Sequence, residues 1–102
     1  MSPPPEERQV TALPRFLRTK KKWPPDLQQI LDGEISKILS NPLRGELKKG
    51  ALAGIRVHKF THQQQLYLIG YQIEKGGGLC LLAPGSHENF YRDLQKHMKA
   101  RS

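Results

Sequence analysis

The chain has a single cysteine, Cys80, and only nine acidic residues against seventeen lysines and arginines. One thiol excludes an internal disulfide, and its place in the apolar run Leu79-Cys80-Leu81-Leu82 suits a small core filler in a reducing compartment. No apolar stretch approaches the roughly 20 residues that cross a bilayer. The start, with Pro3, Pro4, Pro5, Glu6 and Glu7, has no signal-peptide pattern, so the expectation is a soluble, cytoplasmic protein without membrane contact. The four histidines, His58, His62, His87 and His97, form no zinc spacing with one another or with Cys80, and no metal is expected. Gly76-Gly77-Gly78 lacks the Lys-Ser/Thr of a phosphate-cradling loop and leads into a strand, so it reads as a hairpin turn. No Ser-His-Asp or Cys-His set can be assigned, and no cofactor is expected.

What is present is positive charge. The 102 residues carry a net charge of +8, and the basic residues recur from Arg8 to Arg101 rather than forming a tail. This length supports one domain with a modest core and a surface site rather than a deep cavity. A polyanion or an acidic protein is the natural partner of such a surface. Residues 1–8 are proline-rich and polar and read as a disordered leader; residues 9–102 read as the domain.

Within the domain, Gln9 to Phe16 reads as a short edge strand limited by Pro14, and Leu17 to Trp23 as a short basic helix stopped by Pro24 and Pro25. Leu27, Ile30, Leu31, Ile35, Ile38 and Leu39 form one stripe of a helix that ends near Ser40, before Asn41-Pro42. Leu43 to Gly54 reads as a loop. Ile55 to Thr61 and Leu66 to Ile73 alternate as antiparallel strands, followed by a central strand of about five residues from Leu79 and a turn at Pro84-Gly85. Phe90, Leu94 and Met98 then recur at helical spacing, with Ser86 as the expected N-cap.

The fold expected is therefore α+β, with two N-terminal helices on one face of a small antiparallel sheet and a C-terminal helix. Alternation assigns Ile55, Val57, Tyr67, Ile69 and Tyr71 to the helix-covered face. Arg56, His58, Leu68, Gly70 and Gln72 are left on an open face. That open face is the candidate site, and the general acid-base and cationic groups available are Arg56, His58 and Lys59 on one strand and His87 and Tyr91 around the strand-to-helix turn. Such groups suit metal-independent cleavage of RNA, in which a base takes the 2′-hydroxyl proton, a cation stabilises the phosphate and an acid protonates the leaving oxygen.

Asn41-Pro42, the loop Gly45 to Gly54, the strand Ile55 to Phe60, the strand Tyr67 to Tyr71 and the segment Gly85 to Leu94 resemble, in order and spacing, the RelE/ParE superfamily of bacterial toxins. The resemblance runs from about Val10 to Arg101. It implies a helix-helix-sheet-helix fold and the toxin of a type II toxin-antitoxin system, with ribosome and mRNA as targets and an acidic antitoxin as partner. RelE-like members cleave mRNA in the ribosomal A site with basic residues on successive strands and a tyrosine opening the last helix. Carried over, Arg56 and His58 fall on the first strand position and Tyr91 on the last. Leu68 stands where a middle-strand arginine is expected, and His87 where a turn arginine is expected. The implied catalytic set is Arg56, His58, His87 and Tyr91, with Lys48, Lys49, Lys59 and Arg92 binding RNA. Two alternatives stand beside it: a ParE-like inhibitor of DNA gyrase, and a non-catalytic basic module that binds RNA or an antitoxin.

Overall fold

The structure, a computed structural model, describes residues 9–92. The expected leader over residues 1–8 and the helical positions Leu94 and Met98 lie outside the described residues, as does His97. The elements run β1 (Val10–Ala12), α1 (Pro14–Lys21), α2 (Pro25–Ser40), β2 (Glu46–Leu47), β3 (Arg56–His62), β4 (Gln65–Ile73) and β5 (Leu79–Ser86). A last helix, α3, begins at residue 87 and is described through 92. The strands form one sheet in the order β1-β5-β4-β3-β2, antiparallel throughout except for the parallel pair β1 and β5.

Local chemistry sets the helix bounds. Pro14 and Pro25 each occupy the first helical turn, where the missing N–H has no intrahelical partner to lose. α1 thus starts three residues earlier than the Leu17 expected from charge. Its last turn carries Arg18, Lys20 and Lys21, which complement the helix dipole. α2 stops at Ser40 because Asn41 precedes Pro42 and is pushed out of the helical region.

Two expectations about β structure are corrected. The segment from Leu43 to Gly54 is more than a loop, since Glu46–Leu47 pairs with β3 as the sheet's edge strand. β5 does not turn at Pro84-Gly85 but continues to Ser86, still paired with β4. β1 stops pairing at Leu81, so this part of β5 is itself a sheet edge, where proline's missing donor is tolerated. A bulge between Gly70 and Tyr71 leaves Leu82 as the extra residue of β5.

The sheet is buried on both sides. Toward α1 and α2, Phe60, Ile69, Tyr71, Leu79 and Leu81 pack with Phe16, Leu27, Leu31 and Ile38. On the other side, Val57, Leu68, Leu82 and Ala83 pack with Ile55, with Leu52 from a short 3-10 turn and with Phe90 from α3. The expected open face therefore does not exist in its centre: Leu68 is 0% exposed.

The parity of β3 is also the reverse of that expected. His58 lies opposite Ile69, and Arg56 opposite Tyr71, so both face the helices, whereas Val57 lies opposite Gly70 on the α3 side. His58 is tolerated beneath α2 because its Nε2 donates to Glu34 Oε1 at 2.8 Å, while Lys37 Nζ holds Glu34 Oε2 at 2.7 Å. Burial by itself would raise the Glu34 carboxyl, but the hydrogen bonds and charges of Lys37 and His58 outweigh it and hold the group below its ordinary value of 4.5.

Two polar groups on the helix side clamp the chain after α2. Tyr71 Oη donates to the Pro42 carbonyl and accepts from Gly45 N–H at 3.0 Å. Arg56 Nη1 donates to the carbonyls of Gly45 at 2.9 Å and Leu43 at 3.3 Å. Gly45 is required at this contact, since a Cβ there would lie 2.5 Å from Tyr71 Oη. At the β3–β4 turn, Gln63 and Gln64 have φ of 51° and 66°, the left-handed conformation that a two-residue hairpin needs and glycine or asparagine usually supplies. Holding two glutamines there costs on the order of 1 kcal/mol each.

Tyr71→Phe should leave both the Pro42 carbonyl and the Gly45 N–H without a partner and lower stability by about 1–3 kcal/mol in chemical denaturation. Because the Glu34 carboxyl titrates lower in the folded chain, its contribution is complete above pH 4.5 and declines as pH falls below that value. Unfolding midpoints measured from pH 6 down to about pH 3 should therefore fall more steeply in the wild type than in Glu34→Gln.

Candidate functional site

The groups available for chemistry lie around the rim of the α3 side. α3 starts directly after β5, and Gly85 lets it approach: a Cβ at that position would lie 3.3 Å from Phe90 Cα and Cβ. Phe90 seals the apolar patch over Leu68, and Tyr91 meets its ring edge-on, with centroids 5.1 Å apart and planes at 89°. Tyr91 is half-buried against the same cluster. His87, one helical turn before Tyr91, projects from the same side of α3 and is exposed.

Lys48 completes this group from the opposite edge of the sheet. Its backbone N–H donates to the Ile55 carbonyl at 2.9 Å, extending the β2–β3 ladder by one residue and placing the side chain with Ile55 on the α3 side. Its Nζ sits 5.4 Å from the centre of the Tyr91 ring and 3.2 Å from Glu46 Oε1. Burial would lower the Lys48 ammonium, but interaction with the Tyr91 hydroxyl and with Glu46 more than offsets it and raises the group above its ordinary value. The result is a fixed cation beside a phenol, with an imidazole one turn away.

Of the other expected residues, Lys59 lies opposite Leu68 and is exposed on this side. Lys49 is exposed next to Lys48, and Arg92 on α3 donates through Nη2 to Asn89 Oδ1 at 2.8 Å. Arg56 and His58 are not part of the group. The first holds loop carbonyls and the second is buried against Glu34, with the sheet between them and Tyr91. The expected constellation of Arg56, His58, His87 and Tyr91 is thus divided into two pairs on opposite faces.

Two features were not legible in the sequence. Lys48, named there only as an RNA contact, alternates with Glu46 along β2 and faces Ile55, a placement hidden because the segment read as a loop. Gln63, Gln64 and Gln65, which fall between the two expected strands, line with Leu66, His87 and Glu88 an open groove of about 580 Å³. Among the described residues no three His, Cys, Asp or Glu side chains cluster as metal ligands, and no helix is long and apolar enough to cross a membrane.

Two helices on one face of a five-stranded, mostly antiparallel sheet and a third closing the other face define an α+β fold of the RelE kind. A family model described as ParE-like toxin of type II bacterial toxin-antitoxin system matches residues 10–95, and the chain belongs to that family. Among solved structures, a double arginine-to-alanine mutant of E. coli RelE in the free state is similar at a TM-score of 0.71 and 14% identity, covering 92% of this chain and 96% of that one. The isolated E. coli RelE toxin is similar at 0.62 and 15% identity, covering 89% of this chain and 98% of that one. The intact E. coli RelBE toxin-antitoxin complex matches at 0.62 and 15% identity, with coverage of 76% and 94%. A search of curated proteins finds no match.

The position where the resemblance expects a middle-strand arginine is sealed beneath Phe90 by Leu68. Leu68→Arg would bury an unpaired charge there and should cost about 3–5 kcal/mol, read as a large drop in melting temperature and not as a gain of activity.

Proposed function

We propose that this toxin is an mRNA endonuclease that acts on the ribosome and is neutralised by a cognate acidic antitoxin. The observation that carries the reading is the Lys48 ammonium set over the Tyr91 ring on the α3 side, with the exposed His87 one helical turn before Tyr91. In RNA cleavage the 2′-oxygen attacks the adjacent phosphorus and the bond to the 5′-oxygen breaks, leaving a 2′,3′-cyclic phosphate and a 5′-hydroxyl. The 2′ proton must go to a base, and the leaving oxygen must gain one. An imidazole exchanges protons in the neutral range, which gives His87 one of these tasks. The Tyr91 hydroxyl is held by the Lys48 ammonium, which also offers a fixed positive charge to the phosphate oxygens as negative charge develops. Lys49, Lys59 and Arg92 extend the positive rim along which a strand of RNA would lie. Relative to the sequence-based set, Lys48 takes the cationic role assigned to Arg56, and His58 is left to the core.

The antitoxin follows from the family and from the charge of +8, to which an acidic chain is complementary. The RelBE complex among the structural relatives supports such a partner. A second reading, ParE-like inhibition of DNA gyrase, is favoured by the family description and by the apolar Leu68.

Purified protein added to translating ribosomes with a defined mRNA should produce discrete internal cuts when the ends are mapped. Tyr91→Phe and His87→Ala should each slow cutting by about a hundredfold with unchanged melting temperature. Intact mRNA with folded protein would overturn the reading, and loss of DNA supercoiling by gyrase in a parallel assay would establish the second.

A further inference from the structure

We infer that the tip of the β3–β4 hairpin is a base-reading subsite that selects nucleobases carrying an exocyclic amino group, adenine and cytosine among them, over uracil. The inference rests on the proposed action on RNA and deepens it by assigning the element that chooses the sequence.

The groove of about 580 Å³ is lined by Gln63, Gln64, Gln65, Leu66, His87 and Glu88, with no lysine or arginine among them. On a chain of net charge +8, a groove that contains a carboxylate and no permanently charged cation is an exception. It would repel a phosphate, so the part of a nucleotide that fits is the base.

The donor and acceptor inventory narrows the choice. Each glutamine amide offers a carbonyl acceptor and an NH₂ donor, and the Glu88 carboxylate offers acceptors only. An exocyclic amine beside a ring nitrogen acceptor, the edge displayed by adenine and cytosine, matches an amide or an amide and carboxylate together. Uracil presents a carbonyl oxygen where those bases present the amine; its ring N–H and that oxygen would pair with an amide equally well, so the exclusion of uracil falls to the Glu88 carboxylate, which would face the oxygen. Gln65 Oε1 accepts from Tyr67 Oη at 3.2 Å, which ties that residue to the sheet and leaves Gln63 and Gln64 to hold the base while Glu88 selects it.

The backbone gives independent support. Gln63 and Gln64 both have positive φ, where glycine or asparagine would hold the turn with less strain, so the hairpin keeps two long amides against local preference. His87 lines this groove and stands one helical turn before Tyr91 on α3. A base seated at the hairpin would therefore adjoin the scissile linkage, and its identity would set where the RNA is cut.

The test exploits the conformation. The double variant Gln63→Gly/Gln64→Gly removes both amides at positions where glycine is the easier residue, so the fold is retained or strengthened. Glu88→Gln removes the carboxylate alone. Fluorescence anisotropy with short single-stranded oligo(A), oligo(C) and oligo(U) should show the wild type binding the first two about tenfold tighter than the third. The glycine variant should bind all three about tenfold more weakly, and Glu88→Gln should bind all three alike. Equal binding of the three by wild type, undiminished binding by the glycine variant, or a preference that survives in Glu88→Gln overturns the subsite. Ribosome assays with the same proteins separate the two levels. Uncut mRNA together with the base preference in binding would sink the nuclease and leave the subsite. Cutting without regard to base, with base-neutral binding, would sink the subsite and leave the nuclease.

Discussion

Leu68 and Ile69 are consecutive residues of β4, and each is fully buried. Their side chains point to opposite faces, so the central strand can exist only in a sheet covered on both sides. α1 and α2 supply one cover and cannot supply the other. Phe90 and Leu52 supply it, and α3 and the 3-10 turn before β3 are held where they are by that demand. The functional surface is displaced in turn. With the middle of the second face occupied by hydrocarbon, polar chemistry is confined to the rim, where Lys48 reaches in from one edge and α3 presents Tyr91 and His87 from the other.

The polar groups on the helix side are consumed by the architecture. His58 and Glu34 join β3 to α2 through a short, largely buried hydrogen bond. Arg56 and Tyr71 together fix the chain that leaves α2 and enters β2. These residue types, grouped on one strand, look like chemistry when read in line. Their partners, Glu34 and the carbonyls of Pro42, Leu43 and Gly45, come from segments that only the folded chain brings beside them.

This division explains how much was legible in the sequence. The stripe of Leu27, Leu31 and Ile38 announced α2, and the prolines at its start and after its end marked its bounds. The alternation of β4 was assigned to the right faces because Tyr67, Ile69 and Tyr71 form a wholly apolar and aromatic side, while the other side includes Gly70 and Gln72. For β3 alternation failed: Ile55 and Val57 are apolar on one side, Phe60 is apolar on the other, and both sides are core. A strand buried on both faces carries no polar side from which parity can be read. β2 was missed because two residues leave no period to detect, and with it the placement of Lys48. The pairing of His87 with Tyr91 was recoverable, since residues four apart on a helix share a face whatever the sheet does.

The parallel ladder between β1 and β5 joins Val10 to Leu79, the first strand in chain order to the last. Closing a loop of about 70 residues is entropically costly, and contacts of such sequence separation are among the slowest to form. During synthesis the first strand must therefore wait, unpaired, until β5 has emerged. The order of manufacture gives the molecule a delay between beginning to exist and acquiring a finished surface.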